Sequence, residues 1–383
     1  MILITNLSFM RKKLFIVVNQ DKFFLSHRLP IGNAAKDAGY DVTIVSEDTG
    51  VSNKIRENGL KTIALPIDKA GTNIISELKT FFFLYRLFKR EKVDVVHLVG
   101  LKVMLWGSLV CNLLGIHNVV SSVSGLGMLF YEQNSKSFIS KSILKLLRFT
   151  HKNKKIKVIF QNNDNKAIFL RENVVKASQC KFTNGSGIDL NVYNYFIEPN
   201  SEPIKIVFTG RMIEDKGVLD LVEAANILKS EYYDKVQFLL SGDLDKNRPN
   251  AITEDILVSK CDGKYIKWIG FSKDVLSLLK SSHIMVFPSY HEGLPKSIIE
   301  AEAIGRPIVT TDSVGCRDTV IDGENGFLVP IKDPDSLAKA LKKLIDDKDL
   351  RILMGKKSRE LAVKRYDIND VIKVHLDIYK SFE

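Results

Sequence analysis

Two glutamates form the strongest chemical signal in this sequence, at positions 292 and 300. Residues 286–300 predict a buried strand, a short loop that presents Glu292, and a helix that begins near Pro295, a residue suited to a first helical turn. Free N–H groups at such a helix start can bind a phosphate or a sugar hydroxyl. Glu300, about two turns into this helix, can accept hydrogen bonds from vicinal hydroxyls such as those of a ribose. The setting between strand and helix favours a binding site over a chance pair of glutamates.

A glycine turn and two cations form a second candidate group in the same half of the chain. A predicted strand leads into Gly210, which is followed by Arg211 and, near the start of a helix, by Lys216. A guanidinium offers a planar pair of donors and an ammonium a point charge, which together suit a diphosphate. Either cation alone would also suit a solvated loop. Because both follow a strand of the domain that carries Glu292, the sequence favours diphosphate binding.

Alternating strands and helices predict the scaffold that holds these residues. Short β-branched apolar runs alternate with amphipathic stretches, a pattern typical of a parallel sheet covered on both faces. The predicted strands are 14–18, 41–46, 61–65, 93–98, 118–123 and 158–161, then 204–209, 236–241, 266–269, 284–288, 307–311 and 327–329. The predicted helices are 26–38, 73–90, 102–114, 137–150, 218–229 and 337–346.

These elements predict an α/β fold with two doubly wound, Rossmann-like parallel-sheet domains. We expect a first domain over 1–193 and a second over 204–365, joined by a linker over 194–203 that holds two prolines. A helix over 366–383 is expected to pack back on the first domain. Ligands of such sheets bind beyond the carboxyl ends of the strands, so the predicted site lies in a cleft between the domains.

Cysteine usage and hydropathy indicate a reducing, cytoplasmic setting. The 383 residues include four cysteines without a short CxxC pair, so neither a disulfide framework nor a zinc site is predicted. Residues 1–10 are interpreted as a leader rather than a secretory signal, because the cations follow the apolar stretch. Residues 103–131 contain no Asp, Glu, Lys or Arg. Polar and glycine interruptions nevertheless favour a buried helix, a turn at Gly115 and a buried strand over a membrane span.

Basic charge is concentrated in the first half of the chain. Residues 1–185 contain 28 lysines and arginines against 13 acidic residues, whereas residues 186–383 contain 28 against 32. This asymmetry indicates an anionic partner for the first half. Residues 135–157 carry eight cations and no acid, and residues 78–92 combine cations with five aromatic side chains. We expect both stretches to dock on an anionic membrane surface; the alternative is a core-facing apolar face with solvated lysines.

The segment around the two glutamates resembles the E-G-[LFM]-x(5)-E-A signature of the family 4 retaining glycosyltransferases, which have the two-domain GT-B fold. The resemblance implies that Glu292 contacts the donor sugar. It implies the same for the backbone amides of Gly293 and Leu294. Glu300 is implied to bind the ribose of the nucleotide.

A second family motif, G-R-x(4)-K, matches Gly210, Arg211 and Lys216 residue by residue. The resemblance implies that the arginine and the lysine bind the donor diphosphate. These cations and a helix N-terminus would offset its charge, so no metal or other cofactor is predicted. In the family the loop that corresponds to Phe271 cups the nucleotide base, while a bulky exposed side chain there would equally suit a domain interface.

Weaker family features in the first half are His27, Arg28, His97, Lys102, Ser124 and Gly125. They resemble the branch that extends polyprenyl-diphosphate-linked sugars in glycan, O-antigen or capsule assembly, which implies that they bind the acceptor. The alternative for either histidine is a structural role at the end of an element. Residues 19–22 replace the usual glycine-rich loop, so its contact with donor phosphate is not implied here. Ser124 stands where many relatives carry histidine.

The resemblance implies transfer of a hexose or N-acetylhexosamine from a nucleotide sugar, most commonly UDP-linked in this branch, to a lipid-linked saccharide. The enzyme would associate peripherally with the inner face of the cell membrane. A front-face route is implied, with Glu292, Arg211 and Lys216 as catalytic residues. A GT-B-fold nucleotide-sugar epimerase is one alternative, but it would not need a cationic, apolar first domain. A nucleic-acid-binding protein is another, and no zinc-finger, RNP-type or helix-turn-helix signature supports it.

Overall fold

The computed structural model describes residues 11–67, 74–126, 138–245 and 250–382. Two compact units divide the chain. The first unit consists of Met1–Phe160, Lys166–Phe182 and Ile372–Glu383. The second unit consists of Gln161–Asn165 and Thr183–Val371.

The first unit contains a sheet of seven parallel strands in the order β3-β2-β1-β4-β5-β6-β7. These strands are β1 (Lys13–Gln20), β2 (Asp41–Glu47), β3 (Lys61–Ala64), β4 (Val95–Val99), β5 (Val119–Val123), β6 (Lys157–Phe160) and β7 (Cys180–Phe182). All residues of β4 and β5 are buried, as expected for central strands of a sheet that is covered on both faces.

The helices of this half are α1 (Asp21–His27), α2 (Leu29–Asp37), α3 (Ser52–Glu57), α4 (Ile74–Glu91), α5 (Leu101–Leu114), α6 (Phe138–Thr150) and α7 (Asn163–Arg171). The sequence predicted one helix over 26–38, and this was wrong. Arg28, with φ −131°, separates α1 from α2, and Pro30 occupies the first turn of α2, where its missing N–H costs no hydrogen bond.

Residues 103–123 of the long uncharged stretch form a helix, a turn and a strand, as the sequence predicted. Helix α5 ends at Gly115, whose φ of +68° closes the helix in the left-handed conformation that favours glycine. Strand β5 follows and is buried throughout. Within the described ranges, none of the helices combines the length and the apolar character that a membrane crossing needs.

The second unit contains six parallel strands in the order β10-β9-β8-β11-β12-β13. They are β8 (Ile204–Thr209), β9 (Val236–Ser241), β10 (Ile266–Trp268), β11 (Ile284–Phe287), β12 (Ile308–Thr311) and β13 (Gly326–Val329). The helices are α8 (Val218–Tyr232), α9 (Glu254–Lys260), α10 (Val275–Lys280), α11 (Lys296–Ala303), α12 (Pro334–Asp346), α13 (Lys348–Arg365) and α14 (Ile368–Lys380). From Ile372 onward, α14 belongs to the first unit.

The predicted fold class is confirmed, since both sheets are parallel and doubly wound with the strand order of a Rossmann fold. Each predicted strand corresponds to an observed one. The strand that the sequence analysis missed is β7, whose three residues are only partly buried or exposed. It therefore lacks the apolar run by which the other strands were recognised.

Candidate active site

The two motifs of the second unit lie at the point where its strand order reverses. Strand β8 leads into Gly210 and Arg211, and β11 leads into the loop that carries Glu292. These two strands are neighbours, with Ile206 paired to Ile284. In a doubly wound sheet, ligands bind beyond the carboxyl ends of the strands at this switch point. The topology therefore brings together residues that are 76 positions apart, Lys216 and Glu292.

Lys216 and Glu292 form an ion pair in this structure. Their side chains are 12% and 17% exposed, so both are largely buried yet reachable. The Ser289 hydroxyl donates a second hydrogen bond to Glu292 Oε1, at 3.0 Å. A sugar bound here would meet the Glu292 carboxylate, which Lys216 and Ser289 already orient.

Gly217 allows the turn that carries Lys216 to approach the end of β11. Its φ is +65°, and a Cβ at this position would lie 2.1 Å from the Pro288 carbonyl oxygen. Any other residue would force the two backbones apart and move Lys216 away from Glu292. The position after Lys216 therefore requires glycine for steric reasons.

Arg211 has a different partner from Lys216. Its Nη1 donates to Asp245 Oδ2 at 2.8 Å, and 39% of the arginine side chain is exposed. A diphosphate could replace this carboxylate, since guanidinium binds either anion through the same pair of donors. Asp243 and Asp245 form an Asp-x-Asp triplet, a pattern that can bind metals. Among the described residues, no group of three His, Cys, Asp or Glu side chains could hold a metal ion.

Glu300 lies in α11 a little more than one turn from its first residue, because the helix begins at Lys296 with Pro295 as its N-cap. The Tyr193 hydroxyl donates to Glu300 Oε1 at 3.2 Å, and Lys296 Nζ lies 3.7 Å from the same oxygen. Burial raises the pKa of Glu300 above its ordinary value, against the opposing effects of Lys296 and Tyr193. The carboxylate therefore protonates more readily than that of a solvated glutamate.

The loop after Glu292 is held by backbone contacts on two sides. The Glu292 amide donates to the Val314 carbonyl at 2.9 Å. The Gly293 carbonyl accepts a hydrogen bond from Asn162 Nδ2 at 2.6 Å. Leu294 packs beside Gly185, where an added Cβ would lie 2.8 Å from the leucine side chain.

Phe271 follows β10 and is 62% exposed. The preceding Gly270 has φ +67°, and its carbonyl accepts hydrogen bonds from the Gly242 amide at 2.8 Å and the Ser241 hydroxyl at 3.2 Å. The turn under Phe271 is thus tied to the end of the neighbouring strand β9. An exposed aromatic ring on an anchored turn can stack on a planar base.

In the first unit, the structure brings Arg28 and His97 together in the core. The His97 Nδ1 atom is 2.7 Å from the Tyr379 hydroxyl, and Nε2 is 2.7 Å from the Ser122 hydroxyl. Burial lowers the pKa of His97 well below its ordinary value, and His375 and Arg28 lower it further. Among the described residues, the buried Arg28 Nε and Nη1 have no hydrogen-bond partner. Burial lowers the pKa of Arg28 to about 10.

The other predicted acceptor residues have local partners. The His27 ring stacks on Phe23, with centroids 4.4 Å apart, and its Nδ1 is 2.6 Å from the Ser26 hydroxyl. Lys102 pairs with Glu77 at 2.5 Å. Ser124 and Gly125 follow β5 and are partly exposed.

Three residues near the second-unit motifs were missing from the predicted site, namely Ser289, Tyr193 and Asn162. Ser289 lies inside the strand–loop–helix segment, and its position three residues before Glu292 was the available signal. Tyr193 and Asn162 are 107 and 131 residues from their partners Glu300 and Gly293. No spacing rule links such distant positions, so only the fold reveals these contacts.

Comparison with known families agrees with this arrangement. The family model described as Glycosyl transferases group 1 matches residues 203–347. The model described as Glycosyl transferase 4-like matches residues 13–162. Together they cover most of the chain. The chain therefore belongs to the group 1 and family 4-like glycosyltransferases, the retaining GT-B enzymes that its motifs resemble.

Curated relatives and a solved structure are similar over almost the whole chain. An N,N'-diacetylbacillosaminyl-diphospho-undecaprenol alpha-1,3-N-acetylgalactosaminyltransferase of Campylobacter jejuni is 29% identical, covering 93% of this chain and 97% of its own. A UDP-Gal:alpha-D-GlcNAc-diphosphoundecaprenol alpha-1,3-galactosyltransferase of Escherichia coli is 27% identical, covering 89% of each. HepE of Anabaena, solved with UDP and glucose, has a TM-score of 0.77 at 16% identity, covering 97% of this chain and 99% of its own.

The chain is accordingly a glycosyltransferase. These matches give no support to a nucleotide-sugar epimerase or to a nucleic-acid-binding protein. The TM-score to HepE shows a shared fold. At 16% identity this likeness shows the fold alone, so the substrates are argued from the site.

Proposed function

We propose that this glycosyltransferase transfers a hexose or N-acetylhexosamine from a UDP-sugar to a polyprenyl-diphosphate-linked saccharide. The observation that carries the proposal is the pairing of Lys216 with Glu292 at the switch point of the second sheet. It places a cation suited to phosphate beside a carboxylate suited to sugar hydroxyls. The acceptor class is supported by the two relatives above, whose names specify diphosphoundecaprenol-linked sugars.

Different residues would bind different parts of the donor. Arg211 and Lys216 would bind the diphosphate, exchanging Asp245 and Glu292 for phosphate oxygens. Glu300, oriented by Tyr193, would accept hydrogen bonds from the ribose hydroxyls.

The transferred sugar and the base would occupy the two ends of this site. Glu292 would accept hydrogen bonds from the sugar hydroxyls, and the amides of Gly293 and Leu294 would donate to it. Phe271, which is 62% exposed, would stack on the base.

The proposed reaction proceeds on one face of the sugar. The bond between the anomeric carbon and the phosphate oxygen breaks, and a bond to the acceptor oxygen forms on the same face. The acceptor proton passes to the departing phosphate, so no protein group acts as a strong base. Arg211 and Lys216 would stabilise the charge that develops on the leaving group.

A double displacement through Glu292 is the competing chemical route, as in retaining glycosidases. We favour the front-face route, because the Ser289 hydroxyl donates to Oε1 of this carboxylate and so orients it for hydrogen bonds to the sugar hydroxyls. Mass spectrometry of enzyme quenched during turnover would distinguish the two routes. A covalent glycosyl adduct on Glu292 would overturn the front-face proposal.

Acceptor binding is proposed for the first unit. His27, Lys102, Ser124 and Gly125 are partly exposed there. Arg28 and His97 are buried and would support that surface from within. The substrates can be tested by offering a panel of nucleotide sugars with a synthetic polyprenyl-diphosphate-linked saccharide and measuring released nucleotide. Turnover with UDP-sugars that depends on the acceptor is expected, and absence of any acceptor-dependent release would contradict the proposal.

We further propose that α4 and α6 form the membrane-facing surface, with different contributions. In α4, Ile75, Leu78 and Phe82 are 77%, 45% and 52% exposed on one helical stripe. In α6, Leu144 and Leu147 are core residues and are not available to lipid, whereas Phe149 is 52% exposed. Helix α6 would instead contribute the exposed lysines at 141 and 145. Residues 135–137 of the predicted docking stretch lie outside the described residues.

Vesicle co-sedimentation tests this surface. Lys141→Glu with Lys145→Glu should reduce binding to anionic vesicles, since each cation near such a surface contributes about 1 kcal/mol. Phe82→Ser should weaken binding with little dependence on salt. The matched control is Lys339→Glu with Lys343→Glu on α12, which makes the same charge change on exposed positions of the second unit. Equal loss in the control would show that only net charge matters, and no loss in either test variant would contradict the surface.

A further inference from the structure

Asn162 is a buried residue between β6 and α7 whose side-chain amide makes two different hydrogen bonds. It is 0% exposed. Its Oδ1 accepts from the Asn165 amide at 2.8 Å, which caps the first turn of α7. Its Nδ2 donates to the Gly293 carbonyl at 2.6 Å. One amide group therefore both caps a helix and binds the loop of the E-G-L motif.

The hydrogen bond to Gly293 has a directional consequence for the next amide. A peptide unit is planar and trans, so its C=O and its N–H point in opposite directions. Fixing the Gly293 carbonyl therefore fixes the direction of the Leu294 N–H. In the proposed function this N–H is one of the two loop amides that donate to the transferred sugar.

The other anchor of the loop lies two peptide units earlier and does not control this direction. The Glu292 amide donates to the Val314 carbonyl at 2.9 Å. Gly293 follows, and glycine allows the chain to rotate freely about its backbone bonds. Without the contact from Asn162, the Gly293 carbonyl would lose this hydrogen bond, and the peptide between Gly293 and Leu294 would depend on packing against Gly185 and Gly315.

We propose that Asn162 is a positioning residue for the donor-sugar loop. It holds the Gly293–Leu294 peptide so that the Leu294 amide is directed at the sugar before the donor binds. This inference rests on the proposed function. Asparagine suits the role because its side chain offers an acceptor for the helix cap together with a donor for the carbonyl.

Two substitutions separate the capping role from the positioning role. Asn162→Asp and Asn162→Ser both retain an oxygen that can cap α7. The aspartate loses the donor to Gly293 and places a negative charge beside its carbonyl. The serine is too short to bridge both partners at once. If the aspartate variant does not fold, the serine variant still tests the proposal.

The measurement is the ratio of UDP-sugar affinity to UDP affinity, together with kcat of transfer. UDP lacks the sugar, so its affinity should be unchanged in both variants. UDP-sugar affinity or kcat should fall about tenfold, the factor of one hydrogen bond between neutral groups. The control is Asp333→Ala, which removes the N-cap of α12 in the same unit. It should lower the melting temperature and leave the ratio unchanged.

The outcomes separate this inference from the proposed function. If wild type transfers sugar and both Asn162 variants keep the wild-type ratio and kcat, the positioning role is wrong. An equal fall in UDP and UDP-sugar affinity would also contradict it, because that pattern indicates general damage to the unit. If wild type neither transfers from nor binds any UDP-sugar, the proposed function itself fails.

Discussion

The predicted site residues of the two units have opposite surroundings. In the second unit, Lys216 and Arg211 are paired with carboxylates that a phosphate can replace, and their side chains are 12% and 39% exposed. In the first unit, Arg28 and His97 are 2% and 0% exposed and lie among Tyr379, His375 and Ser122. Polar residues near the predicted ends of strands and helices are therefore ambiguous in sequence, since the same residue types can line a site or stabilise a core.

The electrostatics of the two regions differ in the same way. Arg211 and Lys216 each have a carboxylate partner, so a phosphate that binds there would exchange one anion for another. Within the part of the chain that the structure describes, Arg28 makes no hydrogen bond from Nε or Nη1, and burying such donors is unfavourable. The first-unit cluster thus carries an energetic cost that the second-unit site avoids.

The largest effect is expected for Lys216→Ala, which should reduce kcat by about 10²–10³, as for loss of one donor to a developing anion. UDP affinity should fall far more than uridine affinity, because the lysine acts on phosphate. Titration calorimetry with both ligands measures this. Lys229→Ala, which removes a surface ion pair with Asp262 on the same unit, is the control and should change neither. Equal losses for UDP and uridine would remove Lys216 from the diphosphate site.

Glu300→Ala should weaken UDP and uridine alike, because the ribose is common to both. The expected loss is about 1.5–3 kcal/mol for hydrogen bonds to a charged group. Tyr193→Phe, which removes one hydroxyl that orients the carboxylate, should give a smaller loss of the same pattern. Unchanged uridine affinity in the alanine variant would contradict ribose binding by this residue.

Arg28→Met distinguishes a core residue from an acceptor residue in the first unit. Removing buried guanidinium donors that lack partners should increase the free energy of unfolding by about 1–3 kcal/mol. Denaturant unfolding measures this change, and acceptor KM is measured in parallel. A stabilised variant with normal acceptor KM would assign Arg28 to the core. A stabilised variant with a raised acceptor KM would place it in the acceptor site, as the sequence predicted.

The pH dependence of uridine binding should show the smallest effect. Ribose binding requires ionised Glu300, and burial raises the pKa of this group. Uridine affinity should therefore fall on acidification, beginning above the ordinary glutamate value of about 4.3. Below the pKa the slope is at most about tenfold per pH unit. Uridine affinity measured from about pH 5 to 8 checks this without the phosphate of UDP, which itself titrates near about pH 6, and Glu300→Gln should abolish the slope.

The same pH experiment also tests His97 of the first unit. Burial lowers the pKa of His97 well below its ordinary value, so this side chain stays uncharged where a solvated histidine titrates. If affinity plotted against pH shows an inflection and His97→Gln removes it, the first unit takes part in donor binding. We expect the His97→Gln profile to match wild type.

The sequence by itself determined the sheet class and the positions of its strands. Buried parallel strands need continuous β-branched apolar runs, and such runs at 93–98 or 284–288 have no other plausible structure. It also singled out the candidate donor residues, because Glu292, Glu300, Arg211 and Lys216 lie in short segments with fixed spacing. Local periodicity carried both kinds of information.

Only the tertiary structure decided which of these residues meet and which are buried. In the fold, Lys216 pairs with Glu292, the Tyr193 hydroxyl donates to Glu300, and the Asn162 side chain donates to the Gly293 carbonyl. The fold also buries Leu144 and Leu147 of α6 in the core, whereas Ile75, Leu78 and Phe82 of α4 are exposed. The physical reason is that hydrogen bonds and burial between distant positions depend on how strands are ordered and helices packed. Residue type and local spacing do not encode that order.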